Sequence, residues 1–397
     1  MTTTTSTIPA APDSVATVSP DPVSLLAQLV AIDSVNPGLV PGGAGESAVA
    51  DFCREWLAAR GFEVHILEKR PGRPSLVAIA RGTGGGRSLM LNGHLDIVSL
   101  ADYDGDPLDP RIRDGRMFGR GTFDMKGGIA AMMIAAARAT ARGPLRGDVL
   151  LACVADEEHG SFGTEEVLES FTADAAIVTE PTCLDVTLAH KGFAWFEVEI
   201  EGRAAHGSRP DLGIDAIAKA GHFLVALEEL GQRLAQGPAH PLLGTGSVHA
   251  SVVHGGEEPS TYPAHCRITL ERRTVPGESP DVVHAELTAV LDQLAATVHD
   301  FRYRLTRGLN REPFEADPEA TVVRTLMRHA TKTLGQAPAI RAEPFWTDCA
   351  LLDRAGIPCL LFGVDGEGAH AATEWVDITS LHHVTEILTD TITDFCA

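Results

Sequence analysis

The sequence predicts an α/β protein of two units, the smaller inserted into the larger, and three observations predict it. The chain has 397 residues, longer than the roughly 250 to 300 at which one hydrophobic core stops growing. Short β-rich runs alternate with helical patterns up to about residue 190 and again from about residue 318. Such alternation builds an α/β domain with at least part of its sheet parallel. Between these stretches the texture changes to strand, helix, strand, strand, helix, strand, which reads as a small α+β unit.

Asp21-Pro22 opens a helical pattern through Val23, Leu26 and Val30. A second helix runs from about residue 46, with Val49, Phe52, Cys53, Trp56 and Leu57 on one stripe, and Gly61 ends it. Strand runs follow at residues 63–67, 75–80 and 88–91, and then at 148–154 after an Ala-rich helix over about 127–142. The Gly-rich stretch 82–86 predicts a hairpin turn, because the Lys-Ser/Thr or helix start of a phosphate loop does not follow it. In the inserted unit, residues 193–200 (FAWFEVEI) largely alternate apolar with polar or small residues. A helix over about 214–234, strands near 248–253 and 266–270, and a helix over about 280–296 come next. The first texture then returns with a helix over 318–334, an apolar strand at 358–362 and a closing helix over about 379–395. The units are therefore expected at residues 21–190 with 305–397, and at 191–304.

Composition excludes several classes. Hydrophobic residues are 44% and charged residues 22%, an ordinary globular balance, and no apolar run approaches the roughly 18 residues of a membrane span. The formal net charge of −22 argues against a surface that tracks nucleic-acid phosphates. Residues 1–20 lack the basic start and apolar stretch of a secretory signal and read as a disordered tail on a cytoplasmic protein. The seven cysteines are odd in number, scattered and never in a C-x-x-C pair. They read as small buried apolar residues rather than as disulfides or a thiolate metal site.

Five places carry chemistry, each open to a plainer reading when taken singly. His94-Leu95-Asp96 follows an apolar strand, where residues two apart share a face. An imidazole there suits a metal whose ligand donates its other ring nitrogen to a carboxylate, and a His bonded to a neighbouring turn fits equally. Gly119-Arg120-Gly121-Thr122-Phe123-Asp124-Met125-Lys126-Gly127-Gly128 delivers Asp124 just before the Ala-rich helix, where a ligand or a helix cap is favoured. Asp156-Glu157-Glu158-His159-Gly160 ends a buried strand. Clustered carboxylates repel unless a cation neutralises them, and adjacent glutamates aim differently, so one can bind metal while the other takes a proton. A solvated acidic loop is the alternative. Glu180 and His370 lie beyond two further apolar strands, where open α/β sheets place their sites. Together His94, Asp124, Glu158, Glu180 and His370 offer two imidazoles and three carboxylates. This set suits zinc, with cobalt or manganese possible, and its size fits two metals bridged by one carboxylate.

At this point the chain resembles the co-catalytic zinc amidohydrolases and exopeptidases that include acetylornithine deacetylase, succinyl-diaminopimelate desuccinylase, mammalian aminoacylase and carboxypeptidase G2. The motifs GHLD (93–96), GRGTFDMKGG (119–128), DEEHG (156–160), TEP (179–181) and GAH (368–370) stand in the order and spacing of that family. The resemblance implies a zinc-exopeptidase-like catalytic domain with a mixed, mainly parallel sheet and helices on both faces, plus an inserted α+β lid that dimerises. It implies two divalent metal ions, with Asp124 bridging, His94 and Glu180 completing one site and Glu158 and His370 the other. Glu157 would be the general base and Asp96 would orient His94. Gly202-Arg203-Ala204-Ala205-His206-Gly207-Ser208 places His206 where relatives polarise the scissile carbonyl, commonly across a dimer. Arg273, in Glu271-Arg272-Arg273-Thr274-Val275-Pro276, aligns with the arginine that holds the substrate carboxylate, with Arg272 as its neighbour on the opposite strand face.

Departures narrow the substrate. Residues 190–195 (HKGFAW) lack the arginine pair of the desuccinylases, and Ser260 replaces an asparagine that many relatives carry. Glu180 stands where aminopeptidase-type and dipeptidase-type relatives tend to carry aspartate, which favours a deacylase or carboxypeptidase. The expected activity is hydrolysis of N-acyl amino acids, with a metallo-carboxypeptidase or dipeptidase as the rival. A non-catalytic binding relative is the distant alternative, and a phosphoesterase lacks the basic residues to clamp phosphate.

Overall fold

The computed structural model describes residues 21–397, and the tail expected over residues 1–20 lies outside them. Local chemistry starts the helices where the sequence places them. The Asp21 carboxylate accepts the Ser24 amide at 3.0 Å and Pro22 fills the first turn of the Pro22–Val30 helix. Asp215 and Ser279 cap the Ala216–Ala235 and Pro280–Thr297 helices in the same way. Each of the seven cysteines is unpaired, and all but Cys183 are buried. Among the described residues, no helix is long and apolar enough to cross a membrane.

The larger sheet has nine strands among the described residues. At its centre Val149–Val154, Leu89–His94, Ala175–Val178 and Cys359–Leu361 run parallel in that spatial order. Every residue of these four strands is buried, which is why they read as continuous apolar runs. Antiparallel strands take the flanks: Glu63–Leu67 and Ser75–Ala80 on one side, Val186–His190 and Phe314–Glu315 on the other. Ile340–Glu343 lies parallel beside Val186–His190. Mainly parallel pairing therefore describes the centre and not the whole sheet. Helices cover both faces. Leu76 and Ala78 join Lys126–Arg142 and Ile378–Phe395 in one core, while Val77 and Ile79 face the Phe162–Leu168 and Cys349–Arg354 helices.

Two sequence expectations need correction. The Gly82 to Gly86 stretch is not a hairpin turn, because Val149–Val154 inserts between Ser75–Ala80 and Leu89–His94. The glycines instead let the loop pass against Gly147, where an added Cβ would lie 1.8 Å from the Arg87 carbonyl. The strand expected at 88–91 continues to His94, since Asn92, Gly93 and His94 pair with Ala152, Cys153 and Val154. A small sheet of Arg111–Arg113, Arg116–Phe118, Gly366–Glu367 and Trp375–Asp377 was not evident in the sequence, its strands being only two or three residues long.

A second, antiparallel sheet has the order Ser247–Gly255, His265–Thr274, Gly192–Glu201, Arg302–Arg311. The Ala216–Ala235 and Pro280–Thr297 helices close over it around Phe196, Val198, Phe223, Leu270 and Leu287, a core separate from those of the larger sheet. The position 304/305 falls inside the Arg302–Arg311 strand, which stays paired with Gly192–Glu201 as far as Arg311.

Candidate metal centre

The four central parallel strands all point their carboxyl ends the same way, and four of the five expected ligands follow from that. His94 ends one strand, Glu158 stands four residues past Val154, Glu180 two past Val178, and His370 on the loop after Leu361. Neighbouring strands lie about 4.8 Å apart, so side chains at their ends meet. Asp124 comes from the loop before the Lys126–Arg142 helix. Gly128 lets that helix press close, because a Cβ there would sit 2.0 Å from the Thr179 carbonyl, next to Glu180.

These side chains converge. Asp124 stands between two imidazoles: its Oδ1 is 3.2 Å from His94 Nε2 and its Oδ2 3.4 Å from His370 Nε2. Glu180 Oε1 approaches His94 Nε2 at 3.6 Å, and Glu158 Oε2 approaches His370 Nε2 at 3.1 Å. Glu157 Oε2 is 4.0 Å from His94 Nε2, beside the same ring. Ligand atoms of His94, Asp124 and Glu158 lie within 4.8 Å of one another, as do those of His94, Glu157 and Glu180.

Electrostatics say what is missing from such a cluster. Burial pushes the Glu157 and Glu180 carboxyls well up; the Glu180 charge raises Glu157 further, and Asp124, Glu158 and Asp348 raise Glu180. Burial and the neighbouring Asp124 raise Glu158. The Asp124 carboxyl is pulled below the usual range despite its burial, by hydrogen bonds from His370 and His94. His370 is pushed up to about 10 by Asp124 and Glu158. His94 is raised although burial opposes it, chiefly by Glu180 and Asp124. These carboxylates form their ion pairs with the two imidazoles. Negative charge thus exceeds positive in a buried space, with N and O donors facing inward, and this donor set fits a pair of divalent cations.

Asp96 meets His94 chiefly through its backbone, with its carboxylate Oδ1 at 3.8 Å from Nδ1. His94 Nδ1 donates to the Asp96 backbone carbonyl at 2.9 Å, which leaves Nε2 as the ligand atom. The hydrogen bonds of the Asp96 carboxylate go to other groups: it accepts Asn36 Nδ2 at 2.7 Å and the backbone amides of Glu157 and Glu158, each at 3.2 Å. Asn36 is held in turn by Arg73, which also pairs with Glu46 and Asp156. Asp156 has φ of 69°, a strained value for a non-glycine residue at the start of this turn.

Three supporting groups escaped the sequence reading. Glu374, fully buried, accepts the amides of Gly121, Phe123 and Asp124 and the Arg120 guanidinium, so it fixes the loop that presents Asp124. Its position shortly before the short Trp375–Asp377 strand gave no periodic cue. Asp348 accepts the Thr164 hydroxyl at 2.6 Å, and burial pushes its carboxyl up to about 6. Arg73 lies in a loop where a lone arginine carries no pattern.

His206 and Arg273 lie apart from this cluster, on the smaller unit. His206 is exposed on a turn pinned to a neighbouring loop by Gly207 N donating to Ser260 O at 2.6 Å and Tyr262 N to Ala205 O at 2.8 Å. Its Nδ1 accepts the Ser208 amide at 3.2 Å, so the neutral ring carries its proton on Nε2. Arg272 is buried and donates to Glu278 and Glu286. Arg273, on the other strand face, is about a third exposed, pairs with Glu271 at 2.6 Å and lies over the Phe193 ring.

Comparison with known proteins accords with this geometry. The pattern of peptidase family M20/M25/M40 matches residues 90–394. The chain is 32% identical over 391 residues to an acetylornithine deacetylase of Myxococcus xanthus, covering 94% of this chain and 96% of the relative. An M20 family metallo-carboxypeptidase from Sulfolobus solfataricus has a similar structure, with a TM-score of 0.77 at 18% identity over 95% of this chain and 99% of the other. So does a dinuclear metal-binding peptidase of Bacillus subtilis, with a TM-score of 0.72 at 18% identity over 94% and 97%.

Proposed function

This chain belongs to peptidase family M20/M25/M40, and from that premise we propose that it is a metal-dependent hydrolase that cleaves the amide bond of N-acyl amino acids. One observation carries the proposal: Asp124 directs one carboxylate oxygen at each of two imidazoles, while Glu157 stands beside this array. Asp124 would bridge two cations, most suitably zinc, with His94 and Glu180 on one and Glu158 and His370 on the other. When bound, the cations supply Lewis acidity to a carbonyl oxygen and make water acidic enough to lose a proton near neutral pH.

The chain's own groups do the rest. Glu157 takes the proton of the attacking water and returns it to the leaving amine; burial and Glu180 raise its proton affinity. The Nε2–H of His206, fixed as donor by the Ser208 amide, is suited to polarise the scissile carbonyl from the smaller unit. Arg273 would hold the free carboxylate of the substrate, a reading supported by its partial exposure where Arg272 is buried. A homodimer formed through the smaller unit is part of the reading. The edge strand Ser247–Gly255 supports it, since Val252 and Val253 are exposed there.

Resemblance to a deacetylase over nearly the whole chain supports N-acyl substrates, and the carboxypeptidase-like fold keeps a peptide bond as the second reading. A panel of N-acetyl, N-succinyl and N-carbamoyl amino acids beside free-amine dipeptides separates them. The highest kcat/KM should fall on an N-acyl amino acid. Preference for dipeptides with a free ammonium would replace the deacylase by a dipeptidase.

A further inference from the structure

We infer that Arg311 is a positioning residue that ties the smaller sheet to the turn carrying Glu157 and Glu158. The inference rests on the proposed role of Glu157. Arg311 is the last residue of the Arg302–Arg311 strand and pairs with Phe193 at the start of Gly192–Glu201, so its backbone belongs to the smaller unit. Its side chain does not. That side chain, 9% exposed, crosses to the larger unit, where Nη2 donates to the Gly160 carbonyl and Nη1 to Glu165 Oε1 at 2.9 Å.

Those two acceptors lie at the end of the catalytic turn and just beyond it. Gly160 closes it by donating its amide to the Asp156 carbonyl at 2.9 Å, and Ser161 donates to the same oxygen. Glu165 lies on the Phe162–Leu168 helix that begins directly afterwards. One planar fork therefore fixes both the end of the turn and the helix behind it, with Glu157 three residues from its nearer anchor. The fork is itself held: it lies over the Trp346 ring, 5.6 Å from the centroid, and Trp346 Nε1 donates to the Glu312 carbonyl at 3.1 Å. Trp346 packs edge-on against His190 and Phe193, on the other chain segment linking the two units. From the same turn as Trp346, Asp348 accepts Thr164, on the helix that carries Glu165. A shift of the smaller sheet is thus felt at Gly160, and through it at the proton acceptor. Lysine, with one ammonium, can satisfy one anchor but not both.

The test uses full-length, metal-loaded R311A, R311K and E157Q with the N-acetyl amino acid that the unaltered enzyme turns over fastest. R311A should lower kcat by roughly 10- to 100-fold with KM nearly unchanged, as expected of a proton acceptor displaced by a fraction of an ångström to about an ångström. R311K should fall between, and added guanidinium should restore part of the turnover of R311A. Hydrogen exchange should quicken over residues 156–165 while Leu89–His94 and Lys126–Arg142 keep their protection. Unchanged kcat in R311A, or exchange that quickens evenly through both units, overturns the inference. If E157Q retains turnover, the role of Glu157 fails and the inference with it; an inactive E157Q beside a fully active R311A removes the inference alone.

Discussion

The Asp96 carboxylate accepts the backbone amide of Glu157 at 3.2 Å, and its second oxygen accepts that of Glu158 at the same distance. One buried side chain thus aligns the proposed proton acceptor and a proposed ligand through the main chain, while its own carbonyl orients His94. Asp96→Asn keeps the carbonyl but puts an amide, which can accept on one side only, opposite three N–H donors, those of Asn36, Glu157 and Glu158. We expect turnover and metal affinity to fall together, by roughly 10- to 100-fold. Steady-state kinetics with zinc titration of the stripped protein checks this, and a loss confined to KM would contradict it.

Glu157→Gln removes the proton acceptor while conserving shape. The variant should bind metal as the unaltered protein does and lose roughly 10²- to 10⁴-fold in kcat. Metal analysis and kinetics on one preparation read both quantities, and near-normal turnover would remove Glu157 from its role.

The five ligands divide into sets that metal stoichiometry can separate. His370→Ala should spare the ion held by His94 and Glu180, Glu180→Ala the ion held by Glu158 and His370, and Asp124→Asn should weaken both. Dialysis against micromolar zinc followed by elemental analysis measures the counts. Equal loss from all three variants would argue for a single shared site.

His190 predicts an acid-sensitive stability step unconnected with the cations. It is buried against Phe314 and Trp346, its Nδ1 donates to the Lys191 carbonyl at 3.0 Å, and burial pushes its imidazole down to about 4. The unfolded chain, with an ordinary value near 6.5, binds the proton first. Stability is therefore full above about pH 6.5, falls as pH drops through that value and levels off near pH 4, a loss of roughly 3 kcal/mol. Urea unfolding of the metal-free protein at a series of pH values should show the step. His190→Asn, which keeps a donor toward Lys191 and does not titrate, should flatten it; an equal step in that variant would assign it elsewhere.

Legibility in the sequence followed length scale. The Pro22–Val30, Lys126–Arg142 and Ile378–Phe395 helices and the buried central strands show as long periodic or apolar runs, and their ends deliver His94, Glu158, Glu180 and His370. Strands such as Gly366–Glu367, set by pairing with distant residues, leave no periodic trace. The error at Gly82 to Gly86 has a like cause, since only the insertion of Val149–Val154 decides that the flanking strands do not pair. Within the site, residue type revealed the ligands, but the groups that hold them did not stand out. Glu374 acts on amides more than 250 residues away, and Asp96 works through backbone and carboxylate at once. Such roles depend on which donors folding brings near.

Zinc-edge anomalous diffraction from crystals of the zinc-loaded protein tests the central claim most directly. It should show two peaks roughly 3.5–4 Å apart, one on each side of the Asp124 carboxylate, with His94 and Glu180 nearest one and Glu158 and His370 nearest the other. A single peak away from Asp124, or none at this cluster in protein that turns over its substrate, would contradict it.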